Sequence, residues 1–159
     1  MSDIKIEGLD AFSKALRALP QNIAKNVLRG AVNAGATVIR QEAVRRAPEY
    51  HGEVSKGHPP PGTLKKAIYQ KQIRELSDIT RQTFFVGVRH GASAGKKGST
   101  GRETRDAFYW RFVEFGTVKM PAQPFMRPAF EAKKVEAMER IKQYLADRIP
   151  NEVAKLNLK

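Results

Sequence analysis

Cysteine is absent from all 159 residues, which excludes disulfides, thiolate metal sites and a cysteine nucleophile. No apolar run approaches the ~18 residues that cross a bilayer, and the opening Met1-Ser2-Asp3-Ile4-Lys5 lacks the apolar core of a signal peptide. The reading is a soluble chain, cytoplasmic at synthesis, with no membrane partner. Histidine is scarce, and His51, His58 and His90 all stand in Gly/Pro-rich stretches without metal-ligand spacing. They read as solvated loop residues rather than ligands or general bases. No Gly-x-Ser-x-Gly elbow or Walker loop occurs. Gly95-Lys96-Lys97-Gly98-Ser99-Thr100 echoes a phosphate loop but lacks the first glycine and the apolar helix that should follow. These absences predict a protein that is not an enzyme, with no catalytic residue, no metal and no cofactor.

Acidic residues are also short, at 16 against 29 basic, for a net charge of +13. Such an excess favours nucleic acid, an anionic surface or an acidic protein as neighbour. The excess is present on both sides of residue 80, so it is distributed rather than held in a tail. With 41% hydrophobic and 28% charged residues, the chain suits one domain that also carries exposed arms and loops.

Along the chain, Asp3-Ile4-Lys5-Ile6-Glu7 alternates as a short edge strand. Leu9, Phe12, Ala15, Leu16 and Leu19 fall at helical spacing before Pro20. Pro20 then opens the longest element, a helix to about Ala47, with a stripe of Ile23, Val27, Leu28, Ala31, Ala34, Val38 and Ile39. Gly30 and Gly35 weaken that helix locally, which makes sense where another backbone comes close. After a Pro/Gly-rich loop, Thr63 reads as the N-cap of a short helical turn. Two strands, Tyr69 to Arg74 and Thr80 to Arg89, pair through a turn at Ser77-Asp78. Residues 90–105 form a flexible basic arm that cannot build a core. Its Lys96, Lys97, Arg102 and Arg105 suit a solvated loop, a subunit contact or a DNA-backbone contact. Asp106 caps a helix over Ala107 to Phe115, and Pro128 opens a last helix that Pro150 ends. The result is a single domain over residues 1–149 and a tail over 150–159.

The densest information lies in Tyr109-Trp110-Arg111-Phe112-Val113-Glu114-Phe115-Gly116-Thr117 and Gln123-Pro124-Phe125-Met126-Arg127-Pro128-Ala129-Phe130. Aromatics, prolines and one embedded carboxylate make this a shaped structural corner. Its candidate residues are Phe112, Glu114, Phe115, Gly116 and Thr117, with Pro124, Phe125, Arg127, Pro128 and Phe130 docking the last helix. A carboxylate amid apolar neighbours must be paired. Glu114 therefore reads as an ion pair with Arg111 or Arg127, or as a brace on the backbone. Phe108, Tyr109, Trp110, Phe112 and Phe115 read first as core, with Trp110 or Tyr109 as a spare interface anchor.

The two runs resemble those of the tail-completion (minor tail, neck) proteins of long-tailed phages. The resemblance extends to the long helix ending in Ala47-Pro48, to Gly62-Thr63-Leu64-Lys65-Lys66-Ala67-Ile68 and to Phe85-Val86-Gly87-Val88, and covers residues 8 to 148. The departures are the basic insert between Arg89 and Arg105 and the proline run before Gly62. The resemblance implies an α+β fold, with a long helix and a C-terminal helix packed on a small antiparallel sheet. It also implies a virion structural protein forming a homo-oligomeric, hexameric ring around the DNA channel. Its partners would be head-closure or connector proteins and the tail terminator or tail tube. The alternatives are a tail terminator ring of similar build and a basic nucleic-acid-binding protein.

Overall fold

The computed structural model describes residues 9–49, 60–90 and 107–157. The expected strand at Asp3–Glu7, the arm residues Lys96, Lys97, Arg102 and Arg105, and His51 and His58 lie outside those residues. The fold is α+β: five α-helices, one 3₁₀ helix and one two-stranded antiparallel sheet among the described residues.

Two helices dominate, α2 (Gln21–Arg46) and the longer α5 (Met126–Asn157). The longest element is therefore the C-terminal helix, not the one that follows Pro20. They run antiparallel, because Val27 and Ala31 near the start of α2 cluster with Leu145 and Ile149 near the end of α5. At the opposite end, Ala43 and Ala47 cluster with Phe125 and Ala129. Pro20 lies just before α2, where it cannot cost a helical hydrogen bond. Ala24, Ala31, Gly35, Ala36 and Ala43 are buried, whereas Leu28, Val38 and Ile39 are only half-buried. Small residues occupy the contact because they let the two helix axes approach.

Both glycines of α2 lie at a close approach: Gly30 meets the Tyr144 ring, and Gly35 meets the Ile141 side chain and the Ala137 backbone. A Cβ at Gly35 would lie 2.7 Å from two atoms of Ile141 and 3.1 Å from the Ala137 carbonyl oxygen. Gly35→Val is expected to destabilise the protein by about 2 kcal/mol, overpacking outweighing the gain in helix propensity. Urea unfolding followed by circular dichroism reads the loss as a lower midpoint at unchanged slope.

The first helix, α1 (Leu9–Ala18), lays Phe12, Ala15 and Leu16 against the Val27–Ile149 cluster. The short α3 (Thr63–Ala67) is entered through Gly62, whose φ of 76° glycine adopts without strain. Gly62 is thus the residue before the helix, and Thr63 is its first residue. The Thr63 hydroxyl donates to the Pro60 carbonyl at 2.6 Å instead of capping an N–H.

Strands β1 (Ile68–Gln72) and β2 (Phe84–Val88) pair Ile68 with Val88 and Gln72 with Phe84. They are shorter than their sequence signal, since Arg74–Leu76 turns as a 3₁₀ helix. Asp78 sits in the connection as expected, its carboxylate accepting from Thr80 N–H, Thr80 Oγ1 and Arg81 N–H at 2.6–2.9 Å. Those bonds, led by the Thr80 hydroxyl, hold its carboxyl below the usual range. On α2, hydrogen bonds from Arg45 and Arg46 hold the Glu42 carboxyl down at about 2. This ion triad puts a buried carboxylate at the α2 end of the core, with both cations beside it.

Pro150 lies inside α5, which continues to Asn157. The expected tail is helical over residues 151–157. Proline is tolerated because Pro150 and Ala146, whose carbonyl it leaves without its usual donor, are both exposed. Ile149 is anchored in the core on one side, and Glu152 pairs with Arg148 and Lys155 on the other.

Candidate functional site

The corner expected from residues 109–130 forms a closed, stitched unit. Its first element, α4 (Trp110–Phe115), starts later than expected, after a turn at Phe108 and Tyr109. Gly116 ends it at φ 76°, ψ 177°, with its N–H donating to the Phe112 carbonyl at 2.9 Å. Thr117 and Met120 then exchange backbone hydrogen bonds of 2.9 and 3.2 Å, leaving Val118 and Lys119 at the tip of a tight turn. Gln123 N–H returns to the Val113 carbonyl at 2.8 Å. After exposed Pro124, Phe125 is completely buried.

Glu114 links the two halves. Its Oε2 accepts from the N–H groups of Phe125 at 2.8 Å and Met126 at 3.1 Å, and its Oε1 accepts from Arg127 N–H at 3.2 Å. The first N–H groups of a helix lack intrahelical partners. A carboxylate from another element supplies those partners here and meets the positive end of the α5 dipole. Its partners are therefore backbone groups, while the Arg111 guanidinium lies over the Trp110 ring at 5.6 Å and Arg127 is exposed. The helix opens at Met126 rather than Pro128, because the Glu114 brace engages that earlier turn; Pro128 sits within the first turn, where its missing N–H costs nothing.

The aromatics divide differently from the expectation of a common core. Tyr109, Trp110 and Val113 pack on the cluster around Phe125, and burial pushes the Tyr109 phenol up against the effect of its Leu64 backbone bond. Phe108, Phe112 and Phe115 are 60%, 51% and 69% exposed. Val118 at the turn tip is fully exposed, and Phe130 on α5 is 49% exposed. The turn and the helix that continues it share one buried side, which Tyr109 and Val113, four apart, occupy. Phe108, Phe112 and Phe115, at steps of four and three, share the other. Apolar residues on both faces of one short helix were the sequence signal for an exposed apolar ridge.

Among the described residues, no group of three or more His, Asp or Glu could hold a metal ion, and no helix is long and apolar enough to cross a membrane. His90, exposed, stands 6.2 Å from Trp110 between ring centroids.

A family model described as "Bacteriophage HK97-gp10, putative tail-component" matches residues 10–116. The match runs from α1 to the glycine that ends α4, so it includes Glu114 and leaves out α5. No curated protein and no solved structure matches the chain significantly. With well over half of its length matched, the chain belongs to the HK97-gp10-like family of bacteriophage tail components.

Proposed function

We propose that this tail component is a non-enzymatic, ring-forming neck subunit of the virion that joins the tail to head-closure proteins around the DNA channel. The observation that carries the reading is the exposed pair Phe108 and Phe112, one helical turn apart, on a corner braced by Glu114. Clustered aromatic side chains left in water on an ordered element mark a protein interface. A ring is built from heterologous contacts, so the pair on one copy would seat in a different surface of the next. The net charge of +13 supports non-specific contact with DNA threading such a ring.

Native mass spectrometry across salt concentrations tests it, on the protein alone and mixed with its tail-tube or terminator neighbour. A ring-sized species is expected in at least one of those conditions, and its mass gives the copy number. The Phe108→Ser/Phe112→Ser variant should keep the wild-type melting midpoint, as surface changes within about 0.5 kcal/mol do, yet remain monomeric. A wild-type monomer that ignores tail proteins and shifts with duplex DNA would overturn the reading in favour of a nucleic-acid binder.

A further inference from the structure

Among the described residues, the two-stranded sheet leaves one edge of each strand without a partner. Arg89 N–H donates to the Ala67 carbonyl and Ile73 N–H to the Thr83 carbonyl, both at 2.9 Å. These bonds extend the ladder in which Tyr69 faces Gly87 and Lys71 faces Phe85. The alternation of an antiparallel ladder therefore turns the N–H and C=O groups of Phe84, Val86 and Val88 away from β1. None of the three has a backbone partner on that side among the described residues. Val88 is buried, so the accessible edge is Phe84 and Val86.

Beside β2 runs a groove of about 620 Å³, bounded on its far side by Trp110, Arg111 and Arg127. Its rim is cationic: Arg89 lies over the Tyr69 ring at 5.4 Å, and Lys71 stands opposite Phe85 in the ladder. Among the described residues, Glu114 is the one carboxylate lining it, and both its oxygens are committed to the start of α5. Among the described residues, a strand edge without a partner, aromatic walls and cations without an ion-pair partner thus meet in one place.

We propose that this groove receives an extended, acidic segment of a partner protein, added to β2 as a third strand. Main-chain bonds to Val86 would supply affinity, and carboxylates meeting Arg111 and Arg127 would supply selectivity. A second copy of this chain is a poor occupant, because its net charge of +13 would meet these cations with like charge. Duplex DNA would satisfy the cations but not the strand edge or the exposed Phe85 ring. The inference goes beyond ring assembly: Phe115 lines the groove, whereas Phe108 and Phe112 lie outside its lining.

The test titrates the intact protein into three dye-labelled peptides, Val-Glu-Val-Glu-Val-Glu and its Val-Ser and Val-Lys counterparts, read by fluorescence anisotropy. Saturable binding of the acidic peptide is expected, at least about tenfold tighter than the serine peptide and weakening with salt. Arg111→Glu with Arg127→Glu, a pair of exposed changes, should weaken it by about tenfold or more. Hydrogen exchange at the Val86 amide should slow when the acidic peptide binds, which a purely electrostatic contact would not produce. Val86→Pro removes that N–H on an edge strand, where proline is tolerated, and should abolish binding. No binding of the acidic peptide, equal binding of all three, or indifference to the charge reversals would overturn the proposal. Displacement of the bound peptide by a second copy of the chain, or duplex DNA protecting the Val86 amide equally, would overturn it too.

Discussion

Glu114→Ala is expected to cost about 3 kcal/mol of stability, counting the loss of charge-assisted hydrogen bonds and the exposure of some freed donors to water. Phe125 N–H is buried and cannot recover its partner from solvent, whereas those of Met126 and Arg127 sit near the surface and can do so in part. In a domain of this size a loss of that order lowers the melting midpoint by roughly 10 °C. Glu114→Gln keeps one acceptor oxygen but turns an amide N–H₂ toward a backbone donor, so about half the loss is expected. Arg127→Ala is the discriminating control. If Glu114 were held by an ion pair with that arginine, removing it would be costly; with backbone partners only, the change stays within about 0.5 kcal/mol. Calorimetry of the three variants checks the order, and an Arg127→Ala loss as large as that of Glu114→Ala would sink the backbone-brace account.

Gly116→Ala is expected to be of similar severity, about 3 kcal/mol, for a different reason. The backbone there, at φ 76° and ψ 177°, lies in a region open in practice only to glycine. A Cβ would also stand 2.8 Å from Ala122 N and 3.0 Å from the Met120 carbonyl oxygen. These are backbone atoms, so no side-chain rotation relieves the overlap. Gly87 offers the contrast: a Cβ there meets the ring of Phe85, which is exposed and can swing aside. Gly87→Ala should therefore cost well under half as much. Because Gly116 positions the Thr117–Met120 turn, the alanine variant should also speed hydrogen exchange at Gln123, whose N–H is bonded to the Val113 carbonyl. A wild-type exchange rate at Gln123 in a folded Gly116→Ala protein would show that the corner does not depend on this glycine.

Both substitutions act on residues conspicuous in the sequence, but their partners were not. Glu114 stood out as a carboxylate among aromatics, and the need for pairing followed from desolvation alone. The sequence offers Arg111, Arg127 or a backbone brace as its partner, and the structure takes the backbone. Those backbone partners lie eleven to thirteen residues downstream, brought there by the turn at Thr117–Met120. The same limit explains Pro128 and Thr63, each assigned a helix start from local preference. In both cases the start was set by a neighbour: the Glu114 carboxylate for α5 and the left-handed Gly62 for α3.

The sequence by itself determined the elements that depend on local periodicity and backbone chemistry. Helix α1, the span of α2 between Pro20 and Ala47, the antiparallel hairpin and the break at Gly116 all follow from apolar spacing, proline and glycine. The sequence pointed to a close backbone approach at the glycines of α2; Gly35 makes one to Ala137 of α5, whereas Gly30 meets the Tyr144 ring. Only the tertiary structure decided which side of each apolar helix is buried. The facing surface of α5 selected Ala31 and Gly35 over Leu28 and Val38, and the Phe125 cluster took Tyr109 and Val113 while leaving Phe108, Phe112 and Phe115 in water. Pro150 stays helical on the same grounds, since Ala146, whose carbonyl loses its donor, is exposed while Ile149 is held in the core. Periodicity specifies that a face is apolar; burial depends on what the rest of the chain brings against it, and the surface left over is the one available to other molecules.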